Sequence, residues 1–196
     1  MASGNAINNR LNSLNINGAY SLPTADGGAG SVLTTNGSGV CNWTQGGTIA
    51  QTLQVETNSV VHITGTYTVN NTVPLITGGT NLLTLNITPK SASNLLSISW
   101  QWCGSTHGGN LNAITALFYN GATAFSASSI GNGAGGNGDC YASGASFVTA
   151  GVTSASTIAL RIGVDAHDLY VNGTSSGGGL FGGVCIASLT VQEIRI

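Results

Sequence analysis

TNLLTLNITPKSASNLLSISWQW, residues 80–102, alternates twice. Leu83, Leu85 and Ile87 take every second position against Thr84, Asn86 and Thr88. After a polar break, Leu96, Ile98, Trp100 and Trp102 do the same against Ser97, Ser99 and Gln101. A period of two belongs to an extended chain whose successive side chains face opposite ways, so each run predicts a strand with one face in a core and the other in water. Trp100 and Trp102 share the apolar face, which assigns them to the core or a subunit interface.

The same pattern spreads outward. Residues 60–69 set Val61, Ile63, Tyr67 and Val69 against His62, Thr64, Thr66 and Thr68, predicting one half-buried strand. Residues 157–164 point Ile158, Leu160, Ile162 and Val164 one way and Arg161 the other. Residues 113–119 are continuously apolar, as in a central strand or a short buried helix. The alternation of 188–196 breaks near Gln192 and Glu193, where a β-bulge is expected. Thirty glycines against three prolines supply turns between short strands. This spacing predicts an all-β chain with an antiparallel jelly-roll or β-sandwich head; a β-solenoid is the rival, but no fixed repeat is present.

Towards the N-terminus the pattern changes. Ile7, Leu11, Leu14 and Ile16 approach a helical stripe among poor helix formers (Asn8, Asn9, Asn12, Asn15, Asn17), so residues 3–18 read as a short helix or an extended arm. Next, Val32-Leu33-Thr34-Thr35 faces Val40-Cys41-Asn42-Trp43 across Asn36-Gly37-Ser38-Gly39, and Asn-Gly provides the positive φ angles of a tight hairpin. Neither arm nor lone hairpin buries enough to be stable in water, so both are expected to pack on neighbouring chains. The expected division is an arm and hairpin stem at 1–46, for attachment and trimerisation, and a head at 47–196.

Charged residues make up 5% of the chain, with a formal net charge of −2. No basic stripe exists to neutralise phosphates, which argues against nucleic acid and anionic membrane surfaces as partners. No run approaches the ~20 apolar residues of a membrane helix. The opening MASGNAINNRLNSLNINGAY has no positive region followed by an apolar run, so the expectation is synthesis in a cytosol and release by lysis or within a particle.

The segment YSLPTADGGAGSVLTTNGSGVCNW, 20–43, resembles an element that recurs in phage and environmental viral tail-fibre proteins. TVPLITGGTNLLTLNITPKSASNLLSISW (72–100), ITALFYNG (114–121) and LFGGVCIASLTVQEI (180–194) resemble the C-terminal domain of such proteins. The resemblance implies a homotrimer with a head similar to complement-type and tumour-necrosis-factor-like jelly rolls, displayed on a virion and therefore extracellular. The chain carries one copy of the hairpin element and a very short stem, which fits a short appendage, head fibre or tip better than a long fibre. The other reading is a structural subunit of an extracellular filament whose arm inserts into the next subunit.

Site candidates are few. The loop 128–143 brings Asn137, Asp139 and Tyr141 together, groups suited to hydrogen bonding and stacking against a saccharide, and His107 lies in a second loop. Asp165, His167 and Asp168 are the one titratable cluster and the candidate metal ligands; a solvated turn explains them equally well. His62, on the threonine face, reads as a surface or interface histidine. Gly177–Gly183 lacks the Lys and Ser/Thr of a nucleotide loop and fits a tight crossover or a symmetry axis. No Ser or Cys has the setting of a nucleophile, and Glu56 and Glu193 are the only glutamates, so neither an enzyme nor a cofactor is expected. Clustered carboxylates in an interchain groove would be needed for a polysaccharide hydrolase. Cys41, Cys103, Cys140 and Cys185 form no C-x-x-C pair. Buried thiols are the default; should a disulfide form, Cys103 and Cys140, which bracket one glycine-rich excursion, are the expected pair.

Overall fold

In the hairpin, Asn36 builds its own turn: its Oδ1 accepts from the amides of Ser38 (2.8 Å) and Val40 (3.2 Å), while Gly37 and Gly39 take positive φ. A computed structural model describes residues 15–16, 18–28, 30–44, 47–132 and 138–196. Most of the expected arm and Asn137 lie outside the described residues.

The chain divides into two units between Thr48 and Ile49. The first contains β1 (Asn15–Ile16) paired with β2 (Tyr20–Ser21), and β3 (Val32–Thr35) paired with β4 (Cys41–Thr44) in the register Leu33 to Trp43 and Thr35 to Cys41. The Trp43 indole lies where a Cβ on Gly27 would sit, and its Nε1 donates to the Ala25 carbonyl at 2.9 Å. Despite these ties Val32, Leu33, Val40 and Trp43 remain 40–44% exposed.

The second unit comprises β5 (Ile49–Thr57), β6 (Val61–Ile63), β7 (Thr80–Ile87), β8 (Leu95–His107), β9 (Leu111–Tyr119), β10 (Ser126–Asn132), β11 (Gly138–Thr149), β12 (Ser156–Val164), β13 (Asp168–Val171) and β14 (Ala187–Ile194). All its strand pairings are antiparallel, and the main ones are nested: β5 with β14, β7 with β12, β8 with β11, β9 with β10. This unit is thus one long hairpin, its apex between β9 and β10, rolled so that successive pairs alternate between sheets. One sheet has the order β10-β9-β12-β7; the other runs β5-β14-β8, with β13 and β6 beyond and β11 on the opposite edge of β8. This is jelly-roll connectivity.

The core lies between the sheets, where the alternating residues of β7, β8, β12 and β14 meet. Trp102 is fully enclosed, with its indole N–H donating to Thr115 Oγ1 at 2.9 Å. The continuous apolar run of β9 is explained by burial on both faces. Leu111, Ala113 and Leu117 face the core, while Ile114, Ala116 and Phe118 join Tyr67 and Ala159 in a second cluster on the outer side of the four-stranded sheet. At the end of β14 the register shifts between Glu193 and Ile194.

One strand expectation is corrected. The run 60–69 leaves the sheet after Ile63, and Val69 is exposed. Gly65 crosses so close to Gly79 that a Cβ would overlap its backbone, and Tyr67 donates its amide to Val164 O, on the other sheet. The alternation of 60–69 therefore spans two different sheets.

Among the described residues no helix is long and apolar enough to cross a membrane.

Candidate functional site

The far end of β8 carries β13 and β6 on one side and β11 on the other. Register aligns Asp139 with Ser105, Ser105 with Tyr170, and Tyr170 with His62 across four strands. Directly opposed residues share a face, with Cβ atoms about 5 Å apart. Ile63, Leu169 and Val171 are buried on the inner face, so His62, Asp168 and Tyr170 turn outward. The result is a polar and aromatic row on the outside of the larger sheet.

Within it, the His62 and Tyr170 rings stack at 4.5 Å with 8° between planes, and His62 Nε2 lies 3.0 Å from Asp168 Oδ1. Both partners of that pair are nearly half exposed, so it is worth at most about 1 kcal/mol and orients the ring more than it stabilises the fold. Ser105 Oγ is taken up by the Gly173 carbonyl at 2.8 Å. Tyr141, two residues along β11 from Asp139, is 74% exposed.

Two clefts flank these residues. One, about 220 Å³, is lined by Ser105, Thr106, Gly138, Asp139, Thr174 and Ser175. The other, about 370 Å³, lies between Tyr141, Gln101 and Ser143 on one side and Cys185 and Ile186 on the other. Its wall is held by a disulfide joining Cys103 to Cys185, with Cα atoms 6.6 Å apart, which fastens the segment after Gly183 to β8. The turn that leads into it exposes Phe181 and Val184, and Phe181 adopts a φ of 51° within a 3-10 turn over Leu180–Gly183.

The expected Cys103–Cys140 disulfide is not formed. Cys103 opposes Tyr141 and faces outward, whereas Cys140 opposes Gly104 and packs on the core, so alternation puts the two sulfurs on opposite faces. Cys140 is a free thiol whose pKa is pushed up to about 11, first by burial and then by the charge of Asp139. A thiol held so far from ionisation is a poor nucleophile.

The metal candidates separate. Asp165 accepts from the Asn112 amide at 2.7 Å and from its side chain; burial raises its pKa, but the hydrogen bonds from Asn112 and the local amides outweigh this and hold it below the usual value. Asp168 turns to His62, and the His167 ring lies against Gly108 and Gly109. No group of three ligand-type side chains converges among the described residues.

Asp139, Tyr141 and His107 fall on one face of one sheet, His107 in register with Asp168. Tyr170 and His62 complete that face. The sequence signal for them was Asp168-Leu169-Tyr170-Val171, whose alternation resumes after the turn, together with the polar side of β6. Of the two glutamates, Glu56 is exposed beside Gln54, and Glu193 is buried. Glu193 accepts from Gln51 Nε2 (2.6 Å), the amides of Lys90 (2.7 Å) and Ser91 (3.2 Å), and Asn94 Nδ2 (2.6 Å). Burial pushes its pKa up, yet these donors prevail and hold it low. Its place is structural, tying β14 to the β7–β8 connection.

No protein-family model matches the chain. No curated protein matches it either. Among solved structures it is similar to "Structure of infectious bursal disease virus Gx strain", at 16% identity and a TM-score of 0.41, over 80% of this chain and 39% of that chain, so it spans well under half of that chain's length.

Proposed function

We propose that the protein is a structural virion appendage of the tail- or head-fibre kind, extracellular on the particle, in which residues 1–46 bring three copies together and the jelly-roll head offers a saccharide-binding face. The observation that carries this reading is the hairpin unit. Every side chain of β3 is exposed, and Val32, Leu33, Val40 and Trp43 stand in water in a single chain. An isolated hairpin with its apolar residues in solvent is marginal, and burial between sister chains supplies what it lacks. Three identical faces on one assembly would then bind by avidity, each site contributing weakly. A head with few charges and polar outer strands suits display in water.

A second reading, the filament subunit, is favoured by one feature of the head. Among the described residues β11 pairs with β8 alone, leaving a 12-residue strand with an open edge to which another subunit's arm could add.

Light scattering on the purified full chain separates the two. A closed mass of three copies supports the appendage, an open-ended ladder of sizes supports the filament, and a compact monomer at all concentrations overturns both.

A further inference from the structure

The saccharide face has a charge pattern that narrows its ligand. We propose that the row of Asp139, Tyr170 and His62 with Tyr141 takes an uncharged saccharide and rejects acidic ones; this rests on the saccharide-binding reading above.

Tyr141 offers an aromatic face 74% open to solvent, suited to the apolar side of a pyranose ring. About 7 Å along the strand, the spacing of two residues, the Asp139 carboxylate stands at the 220 Å³ cleft with Thr174 and Ser175 as hydroxyl partners. That cleft is smaller than the about 300–1,000 Å³ of pockets for drug-sized ligands, so it suits a single ring rather than a chain. Sugar hydroxyls donate to a carboxylate readily; a carboxylate or sulfate on the ligand would meet it as a like charge.

Among the described residues of this unit, no lysine or arginine is positioned to reverse this. In the second unit the described cations are Lys90, Arg161 and Arg195. Arg161 belongs to the other sheet and donates to the carbonyls of Gly78 (2.9 Å) and Gly79 (2.8 Å). Lys90 precedes Asn94 in the β7–β8 connection, and Arg195 follows Ile194, which pairs with Leu95. Both therefore stand near the start of β8, about 30 Å from Ser105 at 3.3 Å per residue, several times the ~8 Å screening length at physiological salt. Of the imidazoles near the row, His62 is paired to Asp168, and His107 lies in register with the same carboxylate. Rejection of acidic sugars thus comes from the like charge of Asp139, beside which no lysine or arginine stands among the described residues of this unit, the repulsive half of specificity.

The test uses the full chain on a panel of neutral oligosaccharides, each printed beside its sialylated or sulfated derivative, with affinities of the hits followed by ligand-observed NMR. The expected result is that neutral members bind and their acidic derivatives bind at least about tenfold more weakly. Tyr141→Ala, which removes an exposed ring, is expected to lose about tenfold, and Asp139→Asn to narrow the gap between the neutral and acidic members. Acidic members bound as well as or better than neutral ones would overturn this inference and leave the saccharide reading standing. Neutral binding untouched by Tyr141→Ala would overturn its location. No binding to any member, with the oligomer intact, would overturn the saccharide reading itself.

Discussion

The hairpin at 32–44 and the long strand β8 obey the same local rules with opposite outcomes. Both are extended, both pair antiparallel, and both carry large apolar side chains beside small polar ones. In β8, Leu96, Ile98, Trp100 and Trp102 are sealed by a second sheet, whereas in β3 the pattern buries nothing. Backbone pairing alone fixes conformation but removes little apolar surface from water, and surface removal at roughly 25 cal/mol per Å² is what stabilises a fold. The nested pairs of the head close a core within one chain. The hairpin unit has a turn, a register and a stacked tryptophan, but no second layer among its described residues.

The largest expected effect follows by separating the units. Residues 49–196 expressed alone should unfold in a single cooperative thermal transition, because nested pairs and core lie within that span. Residues 1–48 alone should give no transition at micromolar concentration. A 49–196 fragment without a cooperative transition would break the comparison, since the head would then owe its stability to the stem.

Next is the cost of truncating one apolar side chain in each region. Trp102→Ala removes an enclosed side chain and leaves its partner hydroxyl on Thr115 without a donor, so about 3–5 kcal/mol of head stability should be lost by denaturant titration. Leu33→Ala should leave the head within about 0.5 kcal/mol. Its effect should appear instead as weaker association of the full chain, read as a mass that falls on dilution.

How much of this could be read from residues alone varies with the range of the cause. The strands containing 83–87, 96–102 and 158–164, the hairpin turn at Asn36-Gly37 and the break near Glu193 rest on short-range chemistry and were legible. The end of β6 was not: Thr66 and Tyr67 continue the alternation, and what stops the strand is Gly79, fourteen residues away, pressed onto Gly65. The disulfide was misread for a related reason. Cys103 and Cys140 bracket a loop, but which face each occupies depends on a register set over the whole of β8 and β11. The site was half legible. Asp139 and Tyr141 share a strand, while His62 and Tyr170 reach the same row only through pairings across β6, β13 and β8.

Acid should act more mildly, and on the head. The folded-state pKa of Glu193 lies below its ordinary value, as does that of Asp165, so each contributes stability above its unfolded-state pKa and loses it as pH falls through the lowered folded value. The thermal midpoint should therefore hold at neutral pH and drop below the ordinary carboxylate range. Glu193→Gln should cost about 1.5–3 kcal/mol at pH 7, as the Lys90 and Ser91 amides and Asn94 lose a charged acceptor. It should also flatten the acid limb in part, Asp165 still contributing. An acid limb identical in the variant and the parent would mean that Glu193 titrates as an exposed carboxylate does.

The smallest effect tests whether the hairpin's conformation is its own. Gly37 sits at φ +77° with nothing within 4 Å of where a Cβ would lie, so Gly37→Ala meets only backbone strain, about 1 kcal/mol. Amide exchange across the β3–β4 pair should accelerate by roughly fivefold, the factor such an energy implies. Gly37→Asn should recover part of it, since asparagine tolerates the left-handed region better than alanine. Neither variant should move the thermal midpoint of the head. If the midpoint does move, the hairpin's strain is being felt across the Thr48–Ile49 boundary, and the contrast between a region that closes its own core and one that leaves its apolar side chains in solvent would have to be redrawn as a difference of degree.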